Sequence, residues 1–105
     1  MSHTLQTVDF TLRVTRERDD NPALDPRDVS ELRAALEDLQ GVVSVDIPSV
    51  LVEFADGRMT QRIRPTIRTV NPAEYKAGEI VGPLEESLFE VDGVTRVREH
   101  SWTRL

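Results

Sequence analysis

The chain has 105 residues, of which 38% are hydrophobic, so it is long enough for one folded domain with a single modest core. It contains no cysteine, and this excludes disulfide bonds, thiolate catalysis and zinc held by cysteine. The net charge of −6 argues against non-specific nucleic-acid binding, although twelve arginines supply planar donors that suit carboxylates and phosphates.

The first predicted strand covers residues 5–16, where apolar and polar side chains alternate. Val8, Phe10 and Leu12 would point into the core, and the residues between them toward solvent. The next segment, residues 17–28, is polar, holds two prolines and is predicted to be a loop. Its five carboxylates could hold a hard cation, but they lack the spacing of a calcium loop, so a solvated loop is the favoured interpretation.

The first helix is predicted to begin at Asp25 and Pro26, with the aspartate as N-cap and the proline in the first turn. Apolar residues at positions 29, 32, 36 and 39 then form a single stripe. Gly41 is predicted to end the helix, because glycine takes the left-handed conformation of the C′ position without penalty.

A hairpin is predicted after this helix. Residues 42–54 have the pattern of a strand, and Pro48, which cannot donate a backbone hydrogen bond, favours an edge strand with a bulge. The Asp-Gly pair that follows predicts a two-residue turn. Residues 59–69 form the predicted return strand, with a bend or bulge expected at Pro65.

The remainder of the chain is predicted to be a loop, a helix and a strand. Residues 71–83 are predicted to be a loop, because two glycines interrupt any longer helix. The second helix is predicted to begin with Pro83 and to end at Gly93, and residues 94–105 form the last predicted strand.

The second helix and its strand repeat the pattern of the first at an offset of 52 residues. The matched pairs are Val29 and Val81, Leu32 and Leu84, Leu36 and Leu88, Leu39 and Val91, Gly41 and Gly93, Val42 and Val94, and Val45 and Val97. The sequence therefore predicts one domain over residues 1–105, built of two similar halves, roughly 5–56 and 57–105.

Two β-α-β units with right-handed crossovers predict an α+β fold, the ferredoxin-like βαββαβ sandwich. Its four-stranded antiparallel sheet would have the order 4-1-3-2, with two helices on one face. The segment LEDLQGVVSVDIPSVLVEF resembles the Leu-x-x-Leu-x-Gly-Val-x-x-Val passage of several ferredoxin-like families, among them heavy-metal-associated domains and amino-acid-sensing effector domains. The resemblance covers residues 36–54 and implies architecture only, because the heavy-metal-associated domains use a Cys-x-x-Cys loop that this chain lacks.

The sequence contains no recognisable catalytic or cofactor-binding motif. His3 and His100 are the only histidines, and neither has other metal-ligating residues clustered around it in sequence. We therefore expect a protein that is not an enzyme and holds no cofactor or metal. No signal peptide or apolar membrane span is visible, so the expected location is cytoplasmic or particle-associated, with no membrane partner.

The charged residues sort onto different predicted surfaces. The helix layer is acidic, whereas the open face of the sheet collects basic side chains and the single tryptophan. This predicted binding face comprises Arg13, Arg62, Arg64, Arg68, Arg96, Arg98, His100, Trp102 and Arg104. Charged residues can simply keep an exposed sheet soluble, but like charges on neighbouring strands repel unless acids or a partner relieve them.

Three functions follow from this face as hypotheses. The first is a non-catalytic interaction or assembly module that docks an acidic protein surface or another copy of the chain. The second is nucleic-acid binding through the same arginines, and the third is a small-ligand-sensing regulatory domain. Arginine makes bidentate contacts with carboxylate and phosphate alike, so the sequence does not choose between the first two.

Overall fold

The computed structural model describes residues 4–105, which form a single antiparallel sheet and two helices. The elements in chain order are β1 (Leu5–Asp19), α1 (Ser30–Glu37), β2 (Val42–Asp46), β3 (Val50–Ala55), β4 (Arg58–Ile63), β5 (Thr66–Pro72), α2 (Ala77–Phe89) and β6 (Val94–Arg104).

The sheet is organised around β1, which is 15 residues long. Along one edge β1 pairs with β6. Along its other edge it pairs first with β5 and then with β4, and β2 and β3 add outside these two strands. The order is β2-β5-β1-β4-β3, with β6 bonded to β1.

The prediction of a four-stranded ferredoxin-like sandwich is wrong, because the sheet has six strands. Both strands of the predicted hairpin are divided at their prolines: β2 and β3 flank Pro48, and β4 and β5 flank Pro65. Proline has no backbone N–H and its fixed φ interrupts a regular ladder. The Leu12 amide donates to the Pro65 carbonyl at 3.1 Å, so β1 continues across the interruption.

The helix starts also differ from the predicted ones. Ser30 begins α1, later than the predicted start, because the backbone at Asp25 makes a separate turn in which its carboxylate accepts from the Arg27 amide at 3.0 Å. The Asp28 carboxylate accepts from the Ser30 amide at 3.0 Å, and hydrogen bonds from Ser30 lower the pKa of Asp28. Asp28 is therefore the acidic residue that supports the start of this helix.

The second helix is longer than predicted, since α2 begins at Ala77. It contains Pro83 and the two glycines, Gly78 and Gly82, that were expected to interrupt it. The Glu79 carboxylate accepts from the Lys76 amide at 3.3 Å and supports the first turn. Ile80 is buried in the core, so tertiary packing favours helix before the proline despite the local signals against it.

Apolar side chains from both helices and from one face of the sheet form a single core. The buried members are Val8, Phe10, Leu12, Val14, Leu32, Leu36, Val45, Ile63, Ile67, Ile80, Val81, Leu84, Leu88 and Val97. The even-numbered residues of β1 from 6 to 16 are all buried, as the alternation predicts for its core-facing positions. The odd-numbered residues of β1 therefore lie on the opposite face, which is called the open face below.

The matched positions of the sequence repeat have similar environments. Leu36 and Leu88 are both fully buried, and Gly41 and Gly93 have φ values of +91° and +86°. The prediction that both glycines take the left-handed conformation is confirmed. At Gly93 a Cβ would also lie 2.4 Å from the Glu17 carbonyl oxygen, so this glycine allows the loop before β6 to approach β1 closely.

Candidate binding surface

The register of β1 with its two neighbours places arginines beside one another on the open face. Residues directly opposite each other in an antiparallel pair project to the same side of a sheet. Thr15 lies opposite Arg62 on β4 and opposite Arg96 on β6, and Arg13 lies opposite Arg98. Three strands thus contribute arginine side chains to one region.

This region is a hollow of about 470 Å³, which is called the arginine hollow below. Its lining residues are Arg13, Val14, Thr15, Ser49, Leu51, Arg62, Ile63, Arg64, Arg96 and Arg98. Five of the ten are arginines and none is acidic. Concentrated positive charge in a concave site raises the local potential and attracts anionic groups.

The arginines of the hollow have little internal neutralisation. Arg62 lies 3.6 Å from the Glu53 carboxylate, but both side chains are about 60% exposed, and such pairs contribute little in water. Within residues 4–105 no carboxylate lies within ion-pair distance of the other four arginines of the hollow. Their charges therefore remain available to a partner.

Arg68 is on the same face but already has a partner. Its Nε and Nη2 donate to the two carboxylate oxygens of Asp9 at 2.9 and 3.0 Å. This bidentate bond lowers the pKa of Asp9 and raises the pKa of Arg68. Arg68 belongs to the predicted binding face by position, but its charge is satisfied within the chain.

A β-bulge in β6 separates the last predicted members from the others. Glu99 lies opposite Leu12 and Ser101 lies opposite Thr11, so His100 is the extra residue in the ladder. After His100, the side chains of β6 that were predicted to point to the open face point to the helix side, and those between them point to the open face.

The consequence is that two predicted binding residues lie on the helix side of the sheet. Trp102 is paired with the buried Phe10 and Arg104 with the buried Val8, so neither joins the arginine hollow. The sequence carried a signal of this reversal. Val97 and Trp102 are five positions apart, whereas apolar residues on the same face of an unbroken strand are an even number apart.

The prediction omitted Leu51, which lines the hollow and is 66% exposed. It lies opposite Arg62 in the β3–β4 pair and therefore projects to the open face. The signal in the sequence was an apolar side chain at an outward position between Val50 and Val52. The hollow thus combines cationic groups with an exposed aliphatic one.

Residues 4–105 lack two other features that would indicate a function. No helix in this part of the chain is both long and apolar enough to cross a membrane. No cluster of three or more histidine or acidic side chains among the same residues could hold a metal ion, and His3 lies outside them.

No known family has a model that matches the chain, and no curated protein is similar to it.

Proposed function

We propose that the protein is a non-catalytic binding module that uses the arginine hollow to hold an acidic segment of a protein partner. The observation that carries the proposal is the convergence of five arginines, from β1, β4, β6 and the residue that follows β4, on a hollow whose lining contains no acid. Guanidinium groups bind carboxylates through two parallel hydrogen bonds, which gives both affinity and orientation.

The arrangement of these arginines supports a role in binding rather than in folding. Arg13 and Arg98 are directly opposite each other on neighbouring strands, and like charges in this position destabilise a sheet. A partner that carries carboxylates would relieve this repulsion on binding. Arg68, by contrast, lies opposite Asp9, and that carboxylate neutralises its charge within the chain.

Two features favour a protein partner over a nucleic acid. Sheet surfaces that bind single-stranded nucleic acid stack bases on aromatic side chains, and no aromatic residue lines the hollow. Leu51 instead offers an exposed aliphatic contact beside Arg62, which suits a segment in which acidic and apolar residues are mixed.

Fluorescence anisotropy with two labelled probes of equal length tests this preference. One probe is a peptide of alternating glutamate and leucine, and the other is single-stranded oligothymidine. We expect the peptide to bind at least about tenfold more tightly, a difference of about 1.4 kcal/mol in binding free energy. A serine–leucine peptide, which has no charge, is the control for non-specific apolar contact and should not bind.

Tighter binding of the oligonucleotide would contradict the proposal and would assign the hollow to phosphate recognition. In that case the logarithm of the affinity should fall steeply with the logarithm of salt concentration, by about 0.7 for each neutralised phosphate of a single strand. Absence of binding to either probe would contradict both functions.

A further inference from the structure

The helix layer carries a groove whose charge is opposite to that of the arginine hollow. This groove, of about 450 Å³, lies between α1 and α2, where the Ser87 hydroxyl donates to the Ala35 carbonyl at 3.0 Å. Its lining residues include three exposed carboxylates, those of Asp38, Glu86 and Glu90, and no arginine or lysine. It is called the acidic groove below.

The two surfaces match in apolar character as well as in charge. Leu39 and Val91 line the acidic groove, and both are only partly buried by the core. Leu51 is the exposed aliphatic side chain that lines the arginine hollow. Each surface therefore combines ionic groups of one sign with exposed aliphatic area, which is the composition expected of two complementary halves of a protein interface.

We propose, on the basis of the function proposed above, that the acidic partner is a second copy of this chain, whose acidic groove docks on the arginine hollow. The carboxylates of the groove would receive bidentate hydrogen bonds from the hollow arginines. Leu51 would contact the aliphatic side chains of the groove. No other surface is required, because the chain carries both halves of the interface.

The positions of the two surfaces determine the form of the assembly. The hollow lies on the open face of the sheet and the groove lies on the helix side, so one contact uses two different surfaces. Each copy in a pair keeps one unused hollow or groove, and such a heterologous contact continues into an open chain or closes into a ring. The molecule measures 57 × 21 × 21 Å, so its long faces can accommodate the roughly 800 Å² per partner of a standard interface.

Complementation between two full-length variants tests the proposal. One variant carries Arg64→Glu and Arg98→Glu, which disables the hollow and leaves the groove intact. The other carries Glu86→Lys and Glu90→Lys, which disables the groove and leaves the hollow intact. All four positions are exposed, so circular dichroism and chemical unfolding should show wild-type folding in both variants.

Sedimentation equilibrium at low salt gives the readout. The wild-type mass should rise with concentration beyond that of a dimer, and each variant alone should remain a monomer. An equimolar mixture should form a one-to-one dimer and nothing larger, because only one intact hollow can meet one intact groove. Raised salt should weaken this dimer, since its contacts are exposed ion pairs.

Three results would overturn the proposal. They are a wild-type protein that stays monomeric at the highest concentration, a mixture of folded variants that does not pair, and a wild-type assembly that stops at a symmetric dimer. If copies fail to associate while the glutamate–leucine peptide still binds, the partner is another acidic protein and the function proposed above stands. If the peptide also fails to bind, both proposals are removed.

Discussion

Arg13 and Arg16 lie three residues apart on β1, on opposite faces of the sheet. They differ in burial and in the hydrogen bonds and ion pairs that they make. The Arg16 side chain is 1% exposed, and it donates to the Asp92 carbonyl at 2.8 Å and to the Glu31 carboxylate at 3.0 Å. Arg13 is exposed, lies opposite Arg98, and has no ion-pair partner within residues 4–105.

The comparison shows that the same side chain serves two purposes on one strand. Arg16 connects β1 to α1 and to the loop before β6, so its hydrogen bonds contribute to the stability of the fold. Within residues 4–105 the only hollow arginine with an ion-pair partner is Arg62, whose pair with Glu53 is exposed, and the repulsion between Arg13 and Arg98 opposes stability. Arg68, which is paired with Asp9, lies on the same face as the hollow but resembles Arg16 in being satisfied within the chain.

The largest expected difference between the two arginines is in their contribution to the free energy of unfolding. Arg16→Ala should lower the free energy of unfolding by about 2–4 kcal/mol, because it removes a packed side chain and two hydrogen bonds. Arg13→Ala is the matched control on the same strand and should change stability by less than about 0.5 kcal/mol. Urea denaturation measures both, and equal losses would show that the two faces do not differ as described.

The glycine that positions the Arg16 contact provides the next test. Gly93→Ala combines positive φ with a close approach to the Glu17 carbonyl oxygen, and should cost about 2–4 kcal/mol. Its counterpart in the repeat has more room, since a Cβ at Gly41 would lie 3.0 Å from Asn71 Oδ1. Gly41→Ala should therefore cost only about 1–2 kcal/mol. A reversed order in thermal unfolding would contradict the close packing of β6 against β1.

The bulge at His100 leads to a smaller, binding-specific prediction. Leu51→Ser should weaken binding of the glutamate–leucine peptide by about fivefold, because it removes the aliphatic contact in the hollow. Trp102→Ser should leave the affinity unchanged, since Trp102 is on the helix side of the sheet. Loss of binding in the tryptophan variant alone would show that β6 has no bulge in solution.

The smallest expected effect concerns the paired arginine. Asp9→Asn should lower stability slightly at pH 7, because the wild-type carboxylate has a lowered pKa and stabilises the fold while it is ionised. That contribution is present above the ordinary pKa of 3.8 and is lost as the pH falls through the lowered value. Thermal unfolding of the two proteins should therefore differ at pH 7 and converge in strong acid. A difference that persists in acid would assign the effect to something other than this ion pair.

Local patterns in the sequence predicted the core better than they predicted the sheet. The alternation of Val8 and Phe10 and the spacing of Leu36 and Leu88 depend on which side chains meet water, and these residues are buried as expected. Glycine at a helix end is a similarly local requirement, so the conformation of Gly93 was also predictable.

The errors concern properties that depend on tertiary structure, namely pairing between strands and burial of the helices. Pro48 and Pro65 predict irregular backbone, but only the hydrogen-bond ladder shows that each divides a strand in two. Pro83 predicts a later start for α2 than the structure has, because the burial of Ile80 favours helix before the proline. The His100 bulge depends on register, which one strand alone does not specify, and it removed two residues from the predicted binding face.

The central claim is that unpaired arginines of the hollow bind the partner, whereas arginines elsewhere on the sheet do not. Two double variants with the same change in net charge test it directly. Arg64→Gln with Arg98→Gln removes two arginines from the hollow, and Arg68→Gln with Arg104→Gln removes two from outside it.

The decisive measurement is the fluorescence anisotropy of the labelled glutamate–leucine peptide as each variant is titrated into it. The hollow variant should bind about 100-fold more weakly than wild type, which corresponds to about 2.7 kcal/mol of binding free energy. The control variant should stay within about threefold of wild type, because its two arginines are respectively paired with Asp9 and turned to the helix side. Equal weakening in the two variants would contradict the claim, since it would show that only the total charge of the protein matters.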